Sequence, residues 1–314
     1  VTAKDEKGGM REGLLKAILL DGRPLAALSA ACFGIITTIA TIAYAGGASP
    51  MMLAIVRAGA AALMLAVWLK VNGRFQVNLK EAPVLFAIAL CNMGISVGVL
   101  GSVFFIPVSL AAIVFYTFPL LIAAANALLA RRAPSALESL FFILAFLGLV
   151  LVIGPRFGSL DWRGIALACL ASLSATAMFL ISERKIRHLD DMAVSFQVNA
   201  CGALLVGAAV LLFKPSLFAL PETALSGWLT LAVCGFYLLA MVSFFPAVRY
   251  AGSAKSALLF NTEPVVSLLG AVIVLGEVLS AQQWLGGALV IGTLIASSLL
   301  RKTHGVPPPP GRPV

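Results

Sequence analysis

The 314 residues are 61% hydrophobic and 11% charged, with a mean hydropathy of +1.04. A water-soluble domain of this length has no interior large enough to hide so much apolar surface, so the composition excludes a soluble enzyme or binding module and implies an all-α polytopic membrane protein. The net charge of +9 would suggest nucleic acid in a soluble chain; here it belongs to the loops, because basic residues collect on the cytoplasmic side of membrane proteins.

Residues 1–23 mix basic and acidic side chains, and Met10 to Leu20 predicts a short amphipathic helix at the membrane surface. The next run, Pro24 to Ala45, carries no charge and ends in Ala43-Tyr44-Ala45, a small-x-small pattern of the kind that precedes signal-peptidase cleavage. Its length predicts a retained span, since a signal core is about 7–15 residues long. Nine further spans follow at about Pro50 to Leu69, Ala82 to Phe104, Val108 to Ala130, Ala136 to Ile153, Gly164 to Ile181, Met192 to Phe213, Gly227 to Val248, Ser256 to Leu275 and Gln282 to Leu300. They divide the chain into a five-helix unit over 24–153 and a second over 154–300, followed by a proline-rich tail, 301–314, expected to be disordered. With an odd number of helices per unit the second must enter the membrane from the opposite side. The fold class expected is ten transmembrane helices in two inverted five-helix repeats around a central cavity.

A faint internal copy supports the duplication. Sliding the sequence by 145 residues sets Phe260, Thr262, Pro264 and Ser280 on Phe115, Thr117, Pro119 and Ser135, and a shift of 142 sets Arg57-Ala58 on Asn199-Ala200. Charge counting gives the orientation independently: with the N-terminus inside, 18 of the 22 Lys and Arg residues fall in inner segments. Only Arg156, Arg163 and Lys214 fall outside, and Arg57 lies within a span. Both termini are therefore expected in the cytoplasm, with the chain in the cytoplasmic (inner) membrane. The five cysteines all lie in apolar segments without paired spacing and read as packing residues.

Small residues predict close helix approach along Gly94, Gly98 and Ser102 in the third span, Ala58, Ala62 and Ala66 in the second, and Ala288, Gly292 and Ala296 in the tenth. Polar and aromatic groups that could line a substrate cavity are Thr37, Thr41 and Tyr44 in the first span, Asn92 and Ser96 in the third, and Tyr116 in the fourth. The second half adds Ser174 and Met178 in the sixth span, Asn199 in the seventh, Tyr237 in the eighth and Asn261 in the ninth. Spans five and ten are almost bare of polar groups, which predicts that they stand outside the cavity. Pro119 and Pro264 mark helix breaks, because proline lacks the N–H that the carbonyl four residues earlier needs.

The two intramembrane charges carry the functional question. Glu263 lies roughly 10 Å from the inner end of its span and Arg57 at a similar depth from the outer end of its own, counting about 1.5 Å per residue. They read as two separate sites, able to pair only if tilt and broken helices bring them together. Glu263 suits a substrate-ammonium contact, a proton-coupling group or a gate, and equally a carboxyl that plugs the backbone gap made by Pro264. Arg57 suits recognition of a substrate carboxylate, and equally a long side chain reaching the outer interface or helix C-terminal carbonyls.

Motifs of other classes are missing. There is no phosphate-binding Gly-x4-Gly-Lys loop and no repeated Asp cluster, and His188 and His304 have no metal-ligand pattern around them. No cofactor, metal site, catalytic residue or nucleic-acid partner is expected. The partners implied are the lipid bilayer and a small-molecule substrate, with homo-oligomerisation left open.

Ten spans in two halves, a proline in the fourth and ninth, and Glu263-Pro264 followed by Leu275-Gly276-Glu277 and Gly286-Gly287 resemble the EamA-type branch of the drug/metabolite transporter superfamily. The resemblance covers about Leu25 to Leu300. It implies a basket-like bundle and secondary transport, often export, of amino acids or other small metabolites by alternating access, and no enzymatic activity. Tyr44, Tyr116 and Tyr237 point within it to aromatic amino acids. Export or antiport of a nucleotide sugar, a phosphate ester or a drug-like cation is the alternative, ahead of a passive channel or an intramembrane enzyme. The first half departs from the pattern: Phe118 stands where the second has Glu263, and Arg132 where it has Glu277.

Overall fold

The computed structural model describes residues 21–77, 79–131, 135–154, 161–276 and 278–303. The helix expected over Met10 to Leu20, Arg132, Glu277 and the tail from 304 on lie outside the described residues, while Arg301 to Thr303, expected in the disordered tail, continue the last helix. Among those described, regular structure is entirely helical: α1 (Arg23–Ala45), α2 (Pro50–Val71), α3 (Ala82–Ser102), α4 (Val108–Phe115), α5 (Phe118–Ala130), α6 (Ala136–Ile153), α7 (Trp162–Lys185), α8 (Asp191–Phe213), α9 (Ala224–Ala251), α10 (Ser253–Phe260), α11 (Thr262–Leu275) and α12 (Ala281–Thr303), with short 3-10 turns at Leu79–Glu81 and Pro215–Leu217. Nine segments among the described residues are long and apolar enough to cross a membrane, and α12 stands where the tenth was expected.

Caps fix where these helices begin. Ser49 accepts a hydrogen bond from the Met52 N–H, Asp190 from those of Met192 and Ala193, and Ser135 and Glu138 form a reciprocal capping box. Each saturates donors that helix geometry leaves open at an N-terminus.

Two spans are broken, and proline chemistry sets where. Helix α4 stops at Phe115 and α10 at Phe260, the residues whose carbonyls lose their donor to Pro119 and Pro264 four positions on. The neighbouring carbonyl is stabilised in the same way in both copies. Thr117 Oγ1 donates to Val114 O at 2.7 Å and Thr262 Oγ1 to Leu259 O at 2.7 Å. The Phe-x-Thr-x-Pro repeat thus makes the same break twice, with the same threonine hydrogen bond beside it.

Packing obeys an exchange rule. Helix α1 packs on α9 and α3 on α7; α11 and α10 pack on α1 as α5 and α4 pack on α7; α9 meets α2 as α3 meets α8. Each contact turns into its counterpart when the first five spans are swapped with the second five, and α2 with α8 and α6 with α12 map onto themselves. The polar-poor α6 and α12 are each other's main partner, with α11 against α6.

Close approach is made by small residues. A Cβ on Gly98 would come 2.5 Å from Leu167 O of α7, and one on Gly34 only 2.6 Å from Glu263 O of α11. Ser102, Ala58 and Ala62 are buried, as the seams of the third and second spans predict. The seam predicted for the tenth span is a different one. Ala288 and Gly292 are exposed, and nothing stands within 4 Å of a Cβ on Gly292, whereas a Cβ on Gly286 would come 2.6 Å from Gly148 O. At about 100° per residue, Ala288 and Gly292 point to the far side of the helix from Gly286.

Both ends of the bundle are tied by loops that the same exchange relates. At one, Ser49 Oγ donates to Leu217 O at 2.7 Å and Glu222 N to Gly46 O at 2.9 Å. At the other, the basic face, Arg74 pairs with Asp190, His188 lies 3.2 Å from Glu81, and Arg249 lies 3.0 Å from Asp191. One end is held by neutral hydrogen bonds and the other by charges.

Candidate functional site

Arg57 projects from α2 into the bundle. Its guanidinium carbon sits 4.7 Å from the ring centroid of Tyr237 on α9, a cation–π arrangement that partly replaces the water lost on entering the protein. Tyr237 is 3% exposed and meets Phe33 of α1 edge-on at 6.1 Å; Phe33 lies 6.2 Å from Phe260, the last residue before the break in the ninth span. A line of rings therefore runs from Arg57 to the broken helix. The reading of Arg57 as a side chain reaching outward to the interface does not describe this geometry.

The break positions Glu263. Because α11 starts anew at Thr262, Glu263 falls in its first turn, where the free N–H groups and helix dipole favour a carboxylate. Its side chain is hydrogen-bonded to the Tyr116 hydroxyl, and Tyr116 lies in the matching break between α4 and α5. The carboxyl thus reaches across to the other half of the molecule. Beside it the Thr262 hydroxyl donates to Leu259 O, one residue before the Phe260 carbonyl whose helical donor Pro264 removes.

Arg57 and Glu263 are not two separate sites. They share one interior, close enough for the charge of Arg57 to act on Glu263, yet they make no direct ion pair among the described residues. The broken ninth span is what brings its carboxylate within reach. Arg57 also acts on Tyr44, so the three groups occupy one electrostatic neighbourhood.

The remaining candidates stand in different surroundings. Asn92 and Ser96 line a small half-open cavity with Arg57, Tyr237, Ala54, Ala58, Met93, Gly202 and Val206. Thr37 donates to Ser267 Oγ of α11 at 2.6 Å and Thr41 to Thr37 O at 3.0 Å, so their hydroxyls hold the α1–α11 contact and α1 itself, and Tyr44 is 39% exposed. Ser174 stands against Gly94 in the α3–α7 contact, and Met178 is buried in the core with Tyr116, Phe179 and Phe260. Asn199 and Asn261 are buried, donating to Ser195 O at 2.8 Å and Leu258 O at 3.1 Å, and the Oδ1 of each has no partner among the described residues. Pro119 is buried and Pro264 half-buried at their breaks.

Sequence reasoning missed Phe33, Met93, Gly202, Val206 and Ser267. A search for polar residues passes over the first four, and the available signal was position: Phe33 lies one residue before Gly34, the point where α1 touches α11.

Comparison with known proteins adds the family. The description "EamA-like transporter family" matches residues 22–154 and again 162–299. A crystal structure of another protein superposes with a TM-score of 0.74 and 18% identity, over 88% of this chain and 98% of that one, a likeness that speaks to the fold alone. No curated protein matches the chain.

Proposed function

We propose that this chain, which belongs to the EamA-like transporter family and is a multi-pass membrane transporter of small molecules, exports zwitterionic amino acids, aromatic ones among them, by alternating access. In this reading it lies in the cytoplasmic membrane with both termini inside, and its two halves are inverted five-helix repeats that rock about a central site. The exchange rule in the packing supports the repeats, and the distribution of Lys and Arg supports the orientation.

One observation carries the substrate class: the Arg57 guanidinium and the Glu263 carboxyl lie close enough to act on each other and make no direct ion pair among the described residues. A buried charge without a direct ionic partner is costly, and it persists where a ligand completes it. An α-amino acid brings a carboxylate for Arg57 and an ammonium for Glu263 on a single carbon. The ring walls of Tyr237, Phe33 and Phe260 offer edge and face contacts to an aromatic side chain.

The test is counterflow in liposomes holding the purified chain, comparing labelled phenylalanine with phenethylamine and 3-phenylpropionate. Phenylalanine exchanges saturably and each single-charge analogue at least about tenfold less, the cost of leaving one buried charge unmatched. Equal exchange of the amine, which has no carboxylate, would overturn the zwitterion reading.

A further inference from the structure

Helices α7 and α10 run antiparallel through a seam pinned at both ends. At the basic face Ser253 Oγ donates to Glu183 Oε2; at the other end the rings of Phe179 and Phe260 stand 5.4 Å apart. Ser182 of α7 and Ser256 of α10 fall between these pins. They are 3% and 0% exposed, and neither hydroxyl has a hydrogen-bond partner among the described residues. Packing does not require a hydroxyl there, since the position equivalent to Ser256 in the first half is Ala111, also buried.

Below the two serines lies an open carboxylate. Other acidic groups of the basic face are paired, Glu81 with His188, Asp190 with Arg74 and Asp191 with Arg249. Glu183 has only the Ser253 hydroxyl and no ion pair among the described residues. The adjacent cation is occupied elsewhere: Arg184 donates to Asn126 Oδ1 at 2.9 Å, and Asn126 Nδ2 donates to Ser253 Oγ at 2.9 Å. Above the serines, Phe179, Phe244 and Phe260 pack edge to face at 4.9, 5.4 and 5.8 Å. Beyond that cluster come Asn261, whose Oδ1 has no partner, and Glu263.

The order along the seam is carboxylate, two unpartnered hydroxyls, three rings, an unpartnered amide oxygen, carboxylate. We infer that this seam is the half of the transport path between the central site and the basic face, that Glu183 with Ser182 and Ser256 forms a second subsite for an ammonium group, and that Phe179, Phe244 and Phe260 are the gate between the two. Free oxygen acceptors and carboxylates along one buried line suit a cation that donates hydrogen bonds, and rings between them let it pass by cation–π contact. The inference rests on the transport reading above, extending it from one site to a route.

The test replaces the five native cysteines, introduces Ser256→Cys or Ser182→Cys, and exposes the reconstituted protein from each side to a cationic, membrane-impermeant methanethiosulfonate. Both thiols are expected to react from the basic-face side and to lose transport on reaction. Ser29→Cys, equally buried in the α1–α9 contact, is expected to stay unmodified. Adding Glu183→Gln is expected to slow the cationic reagent at least fivefold and to leave a neutral methanethiosulfonate unchanged, a charge effect that a purely structural Glu183 would not produce. Phenylalanine counterflow with both thiols unreactive overturns the route. Reaction of the thiols without flux of any amino acid leaves the route standing and removes the amino-acid reading. Equal slowing of both reagents overturns the ammonium subsite.

Discussion

The Tyr116 hydroxyl is hydrogen-bonded to the Glu263 carboxyl, and through that bond the two helix breaks of the molecule touch each other. Neither residue has a like counterpart across the repeat, where Tyr116 corresponds to Asn261 and Glu263 to Phe118. The duplicated scaffold thus supplies two equivalent breaks, and the chemistry placed in them is unequal.

A double-mutant cycle on that pair tests whether it acts as one unit. Glu263→Gln removes the charge and Tyr116→Phe only the hydroxyl, leaving the ring against Phe115 and Phe118 at 5.0 and 6.1 Å. A hydrogen bond to a charged group is worth about 1.5–3 kcal/mol, so Glu263→Gln should raise the KM for counterflow roughly ten- to a hundredfold. Tyr116→Phe should cost less on its own and nothing further in the Glu263→Gln background. Additive losses would show that the two residues act independently.

Arg57 gives a prediction of opposite sign for two substrates. Arg57→Ala removes the partner proposed for the substrate carboxylate and should raise the KM for phenylalanine at least about tenfold, while phenethylamine, which lacks that group, should gain relative to it. Arg57→Lys keeps the charge but not the planar guanidinium over Tyr237 and should fall between wild type and Arg57→Ala. Parallel losses for both substrates would make Arg57 a structural cation.

Glycine substitutions test the packing without touching chemistry. Alanine gains about 1 kcal/mol over glycine in a helix interior, and overpacking a tight contact costs about 1–3 kcal/mol. Gly34→Ala, facing Glu263 O, and Gly286→Ala, facing Gly148 O, should therefore lower the melting temperature in detergent. Gly59→Ala and Gly292→Ala, with nothing within 4 Å of the new Cβ, should leave it unchanged or raise it. A destabilised Gly292→Ala would restore the seam expected from the sequence.

What the sequence revealed and what it concealed follow from the solvent. The breaks were legible at Pro119 and Pro264, because a missing N–H acts on a carbonyl at a fixed distance along the chain. The packed face of α12 was not, since lipid is as apolar as a neighbouring helix and hydrophobic pattern carries no information about which side is covered. Depth counting gave Arg57 and Glu263 a height on their own spans. It could not give the direction in which each points, and it was the broken ninth span and the approach of α1 at Gly34 that set them in one interior.

Asp190 has two jobs at the basic face, and two substitutions separate them. Its carboxylate accepts from the Met192 and Ala193 N–H groups at 2.9 and 3.1 Å, capping α8, and it pairs with Arg74 across the loops. Asp190→Ala loses both and should destabilise by about 0.5–2 kcal/mol, the usual worth of an N-cap. Asp190→Asn keeps an oxygen for the cap and loses only the ion pair, which at a partly exposed surface is worth about 0–1 kcal/mol and is screened by salt. Thermal melts at low and high ionic strength separate the terms: the gap between wild type and Asp190→Asn should close in high salt, and the gap between Asp190→Asn and Asp190→Ala should persist. If both gaps closed, the cap would contribute nothing and the loop contact alone would hold the start of α8.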